Sequence, residues 1–435
     1  MNIPKALNNL SLENLGLRVF YIGVFFLPSA TFIGILFLIS ASIIGSIIQK
    51  ENYLKSIYGK LFFTFGILIF FSSILHRFFI HEEFKGILNP NSSLVGLGNW
   101  IPFIWIFWAL QPYIYSKDRR KKFALILISG SVPIILCGFG QYFFNWNGPF
   151  EIFNGLIIWY QRSSNNGLTS IFNNKNFAGT WFNFIWPFCI ALFFAKTSNY
   201  FKKIISTLFL ISVSFSIILT YSRNAWGGLI LSIPFVIGYQ TFVWLLPLVI
   251  FITLTLMICV SPFFAGNIQD IVRDILPPKV WQEFTQFRIM NLPITRLELI
   301  GNGLEISFLR PLIGFGATSF AAIFQLSTGI SRAHSHNLLL EIAISYGYPA
   351  TIILLFTTTI LLISSFKVIF LNSKKINYFE RAWWISIFYF LLSQLVDAQY
   401  FEGKMSIIFW ILLAGLKNIV VENHKTVDNS NYINN

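Results

Sequence analysis

The sequence is poor in charge: only 11% of its 435 residues are Asp, Glu, Lys or Arg. A soluble domain usually carries about a quarter of its residues charged, so a water-facing globule is excluded. Cysteine is scarce as well, with Cys137, Cys189 and Cys259 each inside an apolar run and none at metal-type spacing. That excludes a disulfide framework and a cysteine-based metal centre, and the three read as small buried hydrophobes. Acidic residues number 17 against 31 basic ones, giving a formal net charge of +14. The bases sit in short clusters between apolar runs, such as Lys117, Arg119, Arg120, Lys121 and Lys122, which is a membrane-topology pattern and not a nucleic-acid-binding one. No internal repeat is present.

What is abundant is apolar: 55% of residues are hydrophobic and the mean hydropathy is +0.67. Runs of about twenty apolar residues, each able to cross a hydrocarbon core of roughly 30 Å, recur along the chain. The run 18–50 is too long for one crossing and breaks at Leu27-Pro28-Ser29-Ala30, which predicts a tight helical hairpin. Further spans are expected near 60–78, 98–116, 123–144, 176–195, 204–221, 225–239, 242–263, 337–366, 382–396 and 404–421. The fold class is therefore all-α, a polytopic transmembrane helical bundle of about twelve spans. Residues 1–422 read as one membrane domain, followed by a polar, Asn-rich tail 423–435 expected to be disordered and cytoplasmic. The polar segment 1–16 leads into an apolar run with no cleavage-site pattern, so that run is expected to be retained and not removed as a signal peptide.

Charge supports this count independently. Lys and Arg gather in cytoplasmic short loops, and the segments 50–60, 117–122, 196–203, 367–381 and the stretch after Lys417 all fall on one side. Both termini are then cytoplasmic. The loops near 79–97, 145–175, 264–335 and 397–403 fall outside. The loop 264–335 is far longer than a helical connection needs, and long loops often carry function. It mixes Asp270, Asp274, Glu283, Glu298 and Glu305 with Arg273, Lys279, Arg288, Arg296, Arg310 and Arg332. Leu292, Leu297, Ile300, Leu304 and Phe308 are spaced for an amphipathic helix on the membrane face.

Five constellations carry chemistry. Ser222-Arg223 lies in a polar break between apolar runs, where an Arg either snorkels to the headgroups beside Trp226 or clamps a phosphate with two parallel hydrogen bonds. Arg296 precedes the turn Pro311-Leu312-Ile313-Gly314-Phe315-Gly316 and stands beside Glu298, which also fits a solvated charged face. His334-Ser335-His336-Asn337 lies where the long loop re-enters the membrane. Histidine titrates near neutrality and suits a general base, and a helix N-terminus favours its neutral form, although it also serves as a cap. The His-x-His pair has no third metal ligand nearby in sequence, so no metal site is expected. Asn174-Lys175-Asn176 begins a further helix, where Asn176 caps the helix or binds a sugar. Asp397 follows an apolar run, and a carboxylate there needs a partner, either a base to orient or an Arg to pair with.

Taken together, Ser222-Arg223, then Arg296 ahead of Pro311-Leu312-Ile313-Gly314-Phe315-Gly316, then His336-Asn337, resemble the O-antigen ligase family in content and order. Asn174 to Gly179 resembles a further string of that family, and the likeness covers about 167–347. Ala317-Thr318 after Gly316, and the additional His334, depart from the family pattern. The resemblance implies a membrane glycosyltransferase of the ligase or polymerase type, acting on the periplasmic side of a bacterial cytoplasmic membrane. It would move a glycan from a polyprenyl-pyrophosphate carrier to a hydroxyl of a glycan, lipid or protein acceptor. It implies His336 as base and Arg223 and Arg296 as pyrophosphate ligands, supported by His334, Asn337, Asn176 and Asp397, without metal or cofactor. The competing expectation is a multi-spanning transporter of bicarbonate or another small solute, against which stands the absence of paired repeats and of midplane charges.

Overall fold

A computed structural model describes residues 3–49, 51–78, 88–164, 167–289, 295–372 and 376–433. Leu292 and part of the loop 79–97 lie outside the described residues. In chain order the helices are α1 (Ile3–Phe26), α2 (Thr31–Ile48), α3 (Ile57–Phe78), α4 (Pro90–Gly96), α5 (Ile101–Ala109) and α6 (Lys117–Gly130). Next come α7 (Val132–Phe144), a hairpin of β1 (Phe150–Ile152) and β2 (Ile157–Trp159), α8 (Lys175–Phe194), α9 (Tyr200–Leu219), α10 (Arg223–Ile237), α11 (Thr241–Val260), α12 (Asn267–Ile275) and α13 (Pro278–Ile289). The series ends with α14 (Arg296–Leu309), α15 (Ser319–Thr328), α16 (Leu338–Tyr346), α17 (Tyr348–Phe366), α18 (Tyr378–Ser393) and α19 (Gly403–Ile433). The protein is a polytopic helical bundle, with nine helical stretches among the described residues long and apolar enough to cross a membrane. The expected spans at 225–239 and 382–396 appear as α10 and α18, which have only 15 and 16 residues.

The chain forms two compact units, one built from 1–132 and 296–435 and the other from 133–295. The first is organised on α19, which packs against α5, α17 and α18 and is 89% buried along its apolar window. Trp410 on α19 meets Phe62 and Phe107 edge-on, and Gly415 leaves room for the Trp383 ring, which would lie 2.3 Å from a Cβ there. The Lys/Arg-rich end of this unit contains more than topology signals. Arg120 is 2% exposed and its guanidinium holds Glu380 Oε1 at 2.6 Å and Glu422 Oε2 at 2.7 Å. Lys417, equally buried, holds Glu51 Oε2 at 2.6 Å and Gln111 Oε1 at 2.7 Å. Cations withdrawn from water need such partners. The helix α19 continues to Ile433, where an irregular tail was expected after residue 423; no Gly or Pro follows Gly415 to interrupt it.

The second unit is built around α8, 78% buried and packed against α9 and α10. Gly179 of α8 faces Ala225 of α10, whose Cβ would lie 2.6 Å from an added one. This lets the Asn183 amide bridge the carbonyls of Gly179 and Ala225 at 3.0 Å each. By contrast, only 6% of α11 is buried. The antiparallel hairpin pairs Phe150 with Trp159 and Ile152 with Ile157, a small element that the sequence reading did not anticipate.

The expected single span 337–366 is two helices. Gly347 separates α16 from α17 at φ 86 and ψ 167, a region essentially restricted to glycine. A Cβ there would lie 2.3 Å from the Leu312 carbonyl oxygen, so the turn Pro311 to Gly316 fits against this break. Tyr348 N–H donates to Pro311 O at 2.7 Å, while Phe315 and Gly316 N–H donate to Ile344 and Ser345 carbonyls at 2.7 and 2.9 Å. From the other side, Ser72 Oγ donates to Ile313 O at 2.7 Å. Replacing Gly347 by Ala should lower stability by about 1–3 kcal/mol or more from backbone conformation alone. Thermal unfolding in detergent checks this, with Gly98→Ala, where an added Cβ meets nothing within 4 Å, expected to melt as wild type does.

Candidate active site

In the first unit the site is assembled where two chain reversals meet. Asn337 caps α16, its Oδ1 accepting from Leu340 N at 3.0 Å and its Nδ2 donating to Leu395 O at 3.1 Å. Leu338 N–H donates to Gln394 O at 2.9 Å, and the Gln394 side chain accepts from Tyr400 N at 2.9 Å. The turn before α16 is thereby fastened to the turn between α18 and α19. His336 stands in the first turn with φ 58 and Asp397 in the second.

His336 Nδ1 and Asp397 Oδ1 are 3.0 Å apart. Asp397 is 5% exposed and also accepts from its neighbour's backbone, Ala398 N, at 3.0 Å. Arg296, the first residue of α14, places Nη2 4.0 Å from Asp397 Oδ2 and donates from Nη1 to Val396 O at 3.3 Å. The helix carrying it approaches α16 closely because Gly303 lies against Leu340, 2.6 Å from where its Cβ would be. His334 completes the group, its ring centroid 4.3 Å from that of His336 and its Nδ1 accepting from His336 N at 3.2 Å.

The electrostatics favour an ionised Asp397. Burial alone raises its pKa, but the hydrogen bond and charge of His336, with Arg296 and His334 behind them, outweigh it and hold the carboxyl below the usual carboxylate range. His334 is pushed the other way, kept neutral by burial, then by His336 and Arg296, with Asp397 opposing. An ionised carboxylate only accepts, so the proton it shares lies on His336 Nδ1, and in the neutral ring Nε2 keeps its lone pair. His334, His336 and Asp397 also offer three ligand atoms within 4.8 Å of one another, a donor set suited to a divalent cation. Sequence reading found no third ligand because Asp397 comes from a distant turn. Arg296 shares the same carboxylate and works electrostatically against a cation there.

Arg223 and Asn176 belong to the second unit. Asn174 caps α8, accepting from Asn176 N at 2.8 Å, which leaves the Asn176 side chain for another task. Its Oδ1 accepts from Ser222 Oγ at 2.9 Å. Ser222 is the N-cap of α10 and Arg223 its first residue, following Tyr221 at φ 50. The guanidinium lies 5.8 Å from the Phe284 ring centroid, and Lys279 Nζ lies 5.9 Å from that of Tyr221. A helix start together with a guanidinium is a suitable anion ligand. The close packing of Gly179 on Ala225 sets Asn176 beside Ser222.

The residues missed at the sequence level are Gln394, Lys279 and Glu341. Gln394 and Lys279 have no local signal, whereas Glu341, four residues after the cap Asn337, is spaced to reach back across one helical turn. The outer apolar stripe expected on α14 is exposed at Leu297, Leu304 and Phe308, while Leu299 and Ile306 face the protein.

The sign of the Asp397 shift sets a stability window. A carboxyl depressed in the folded state contributes stability that is fully present above its ordinary value of about 3.9 and is lost as pH falls through the lower folded value. Wild type should therefore exceed Asp397→Asn in unfolding temperature at pH 5–7, and the gap should close in stronger acid. Melting curves of both proteins against pH check this.

An O-antigen ligase family model matches residues 207–355, which include Arg223, Arg296, His334 and His336 but neither Asn176 nor Asp397. No curated protein matches the chain. Over that stretch, about a third of its length, the chain is similar to the O-antigen ligase family.

Proposed function

We propose that the protein transfers a glycan from a polyprenyl-pyrophosphate carrier to an acceptor hydroxyl, as a ligase or polymerase, at the periplasmic face of a bacterial inner membrane. The observation that carries this reading is the His336–Asp397 contact of 3.0 Å with Arg296 on the same carboxylate. Similarity to the O-antigen ligase family over 207–355 supports the reaction class.

In this reading the acceptor hydroxyl gives its proton to His336 Nε2 as its oxygen bonds to the anomeric carbon. The bond from that carbon to the phosphate oxygen breaks, and the pyrophosphate departs with the electron pair. Asp397 fixes the Nδ1–H tautomer and stabilises the imidazolium that forms, a role a carboxylate fills without itself taking the proton. Arg296 offers a fixed cation to the departing phosphate, which gains charge as the bond breaks. In the second unit, Arg223 on the first turn of α10 is assigned to a phosphate oxygen of the donor, with Asn176 and Ser222 supporting that helix start. His334, neutral and half-buried against the base, supports the His336 backbone.

Replacing His336 by Ala should lower transfer by about 10²–10⁴, read in cells as loss of surface glycan and build-up of the lipid-linked precursor; undiminished display would remove His336 from its role. Arg223→Ala and Arg296→Ala should each cost about 10²–10³. The Lys variants, which keep the charge and lose the paired donors, should fall between Ala and wild type in the same assay.

A further inference from the structure

The turn that presents His336 has an unusual anchor. Ser335 is fully buried, and its N–H donates to Glu341 Oε1. Glu341 lies one turn inside α16 and is 6% exposed. Side chains on a helix tilt toward its N-terminus, so an acid here can reach back past the cap. In a capping box the acid satisfies the N–H of the cap residue itself; here Asn337 is the cap and Glu341 reaches two residues further, to Ser335. What it fastens is the turn carrying His336.

That turn needs fastening. His336 sits at φ 58, a left-handed conformation that a residue with a Cβ avoids unless its surroundings impose it. Its own N–H is taken by His334 Nδ1, and Leu338 N–H by Gln394 O. Ser335 Oγ donates to Asn337 O at 3.3 Å, and the Ser335 side chain is closed in by α14 at Gly303. A buried carboxylate is a costly way to satisfy one amide. Even when protonated, its carbonyl oxygen still accepts the Ser335 N–H.

We infer that Glu341 is a positioning residue for His336: by accepting the Ser335 amide inside the bundle it holds the turn 334–337 in the conformation that turns His336 Nδ1 toward Asp397. The geometric claim stands on these contacts, and its catalytic consequence rests on the base role proposed for His336.

Two measurements on the full-length protein separate the claims. In lipid nanodiscs, the rate at which diethyl pyrocarbonate modifies His336, read by mass spectrometry, reports how the ring is held. In cells, surface glycan per folded molecule reports transfer, with folded protein measured by gel filtration and melting temperature. Glu341→Gln keeps an acceptor oxygen at the same reach and should match wild type in both. Glu341→Leu fills the space without an acceptor, and should speed modification of His336 and lower display by roughly tenfold or more, the size of effect expected for one buried hydrogen bond lost. Glu341→Asp, which keeps the charge but falls short of Ser335, should behave as Leu does and serves if the Leu variant does not fold. Unchanged modification in the folded Leu or Asp variants overturns the inference, even if display falls. Faster modification with undiminished display supports the positioning and overturns the base role of His336.

Discussion

A carboxylate removed from water must be matched by positive charge or by hydrogen bonds, and Asp397 is where this protein meets that demand. Its oxygens take His336, the Ala398 amide and, at longer range, the Arg296 guanidinium. Each partner arrives on a different element, and each element is shaped for the meeting. The start of α14 brings Arg296, the left-handed turn before α16 brings His336, and the reversal after α18 brings the carboxylate. Breaking one partnership leaves the others holding an uncompensated charge, which costs more than the lost contact itself. The same rule operates at the Lys/Arg-rich end of this unit with the signs exchanged, where buried Arg120 and Lys417 draw in Glu380, Glu422 and Glu51.

The parts of this arrangement that were legible in the sequence are those a local pattern can carry. Apolar run length gave the helices, and of the polar residues that interrupt those runs, Arg296 and His336 are the two that meet at Asp397. Hydropathy is blind to the sign of φ, so Gly347 looked like one more residue of a long span. It is equally blind to what lies beside a helix, because lipid and protein core are both apolar. The most apolar window, in α11, is 6% buried, whereas α19 with lower hydropathy is 89% buried.

The pairing of His336 with Asp397 spans 61 positions and leaves no local trace. The sequence offered Asp397 two partners, a base or an Arg, and the structure brings both to it. The role of Asn176 was hidden differently. Two asparagines two positions apart compete for one cap, and only the geometry shows that Asn174 takes it and Asn176 reaches Ser222. The hairpin β1–β2, with three residues per strand, is too short for alternation to register.

The division of the chain has a consequence for how the protein is made. The first unit is interrupted in sequence by residues 133–295, and the helix at its centre, α19, is synthesised after all the others described. At about 5–20 residues per second, α1 to α6 wait in the bilayer for tens of seconds before α19 emerges. Until then the rings of Phe62 and Phe107 have no Trp410 to meet, and Arg120 lacks Glu422, its other carboxylate, Glu380, having come only with α18. Lipid tails can shelter the rings in the interval, but they offer nothing to a guanidinium. The unit is therefore most vulnerable to misassembly at its charged end, and the arrival of its final helix closes that end and its apolar centre together.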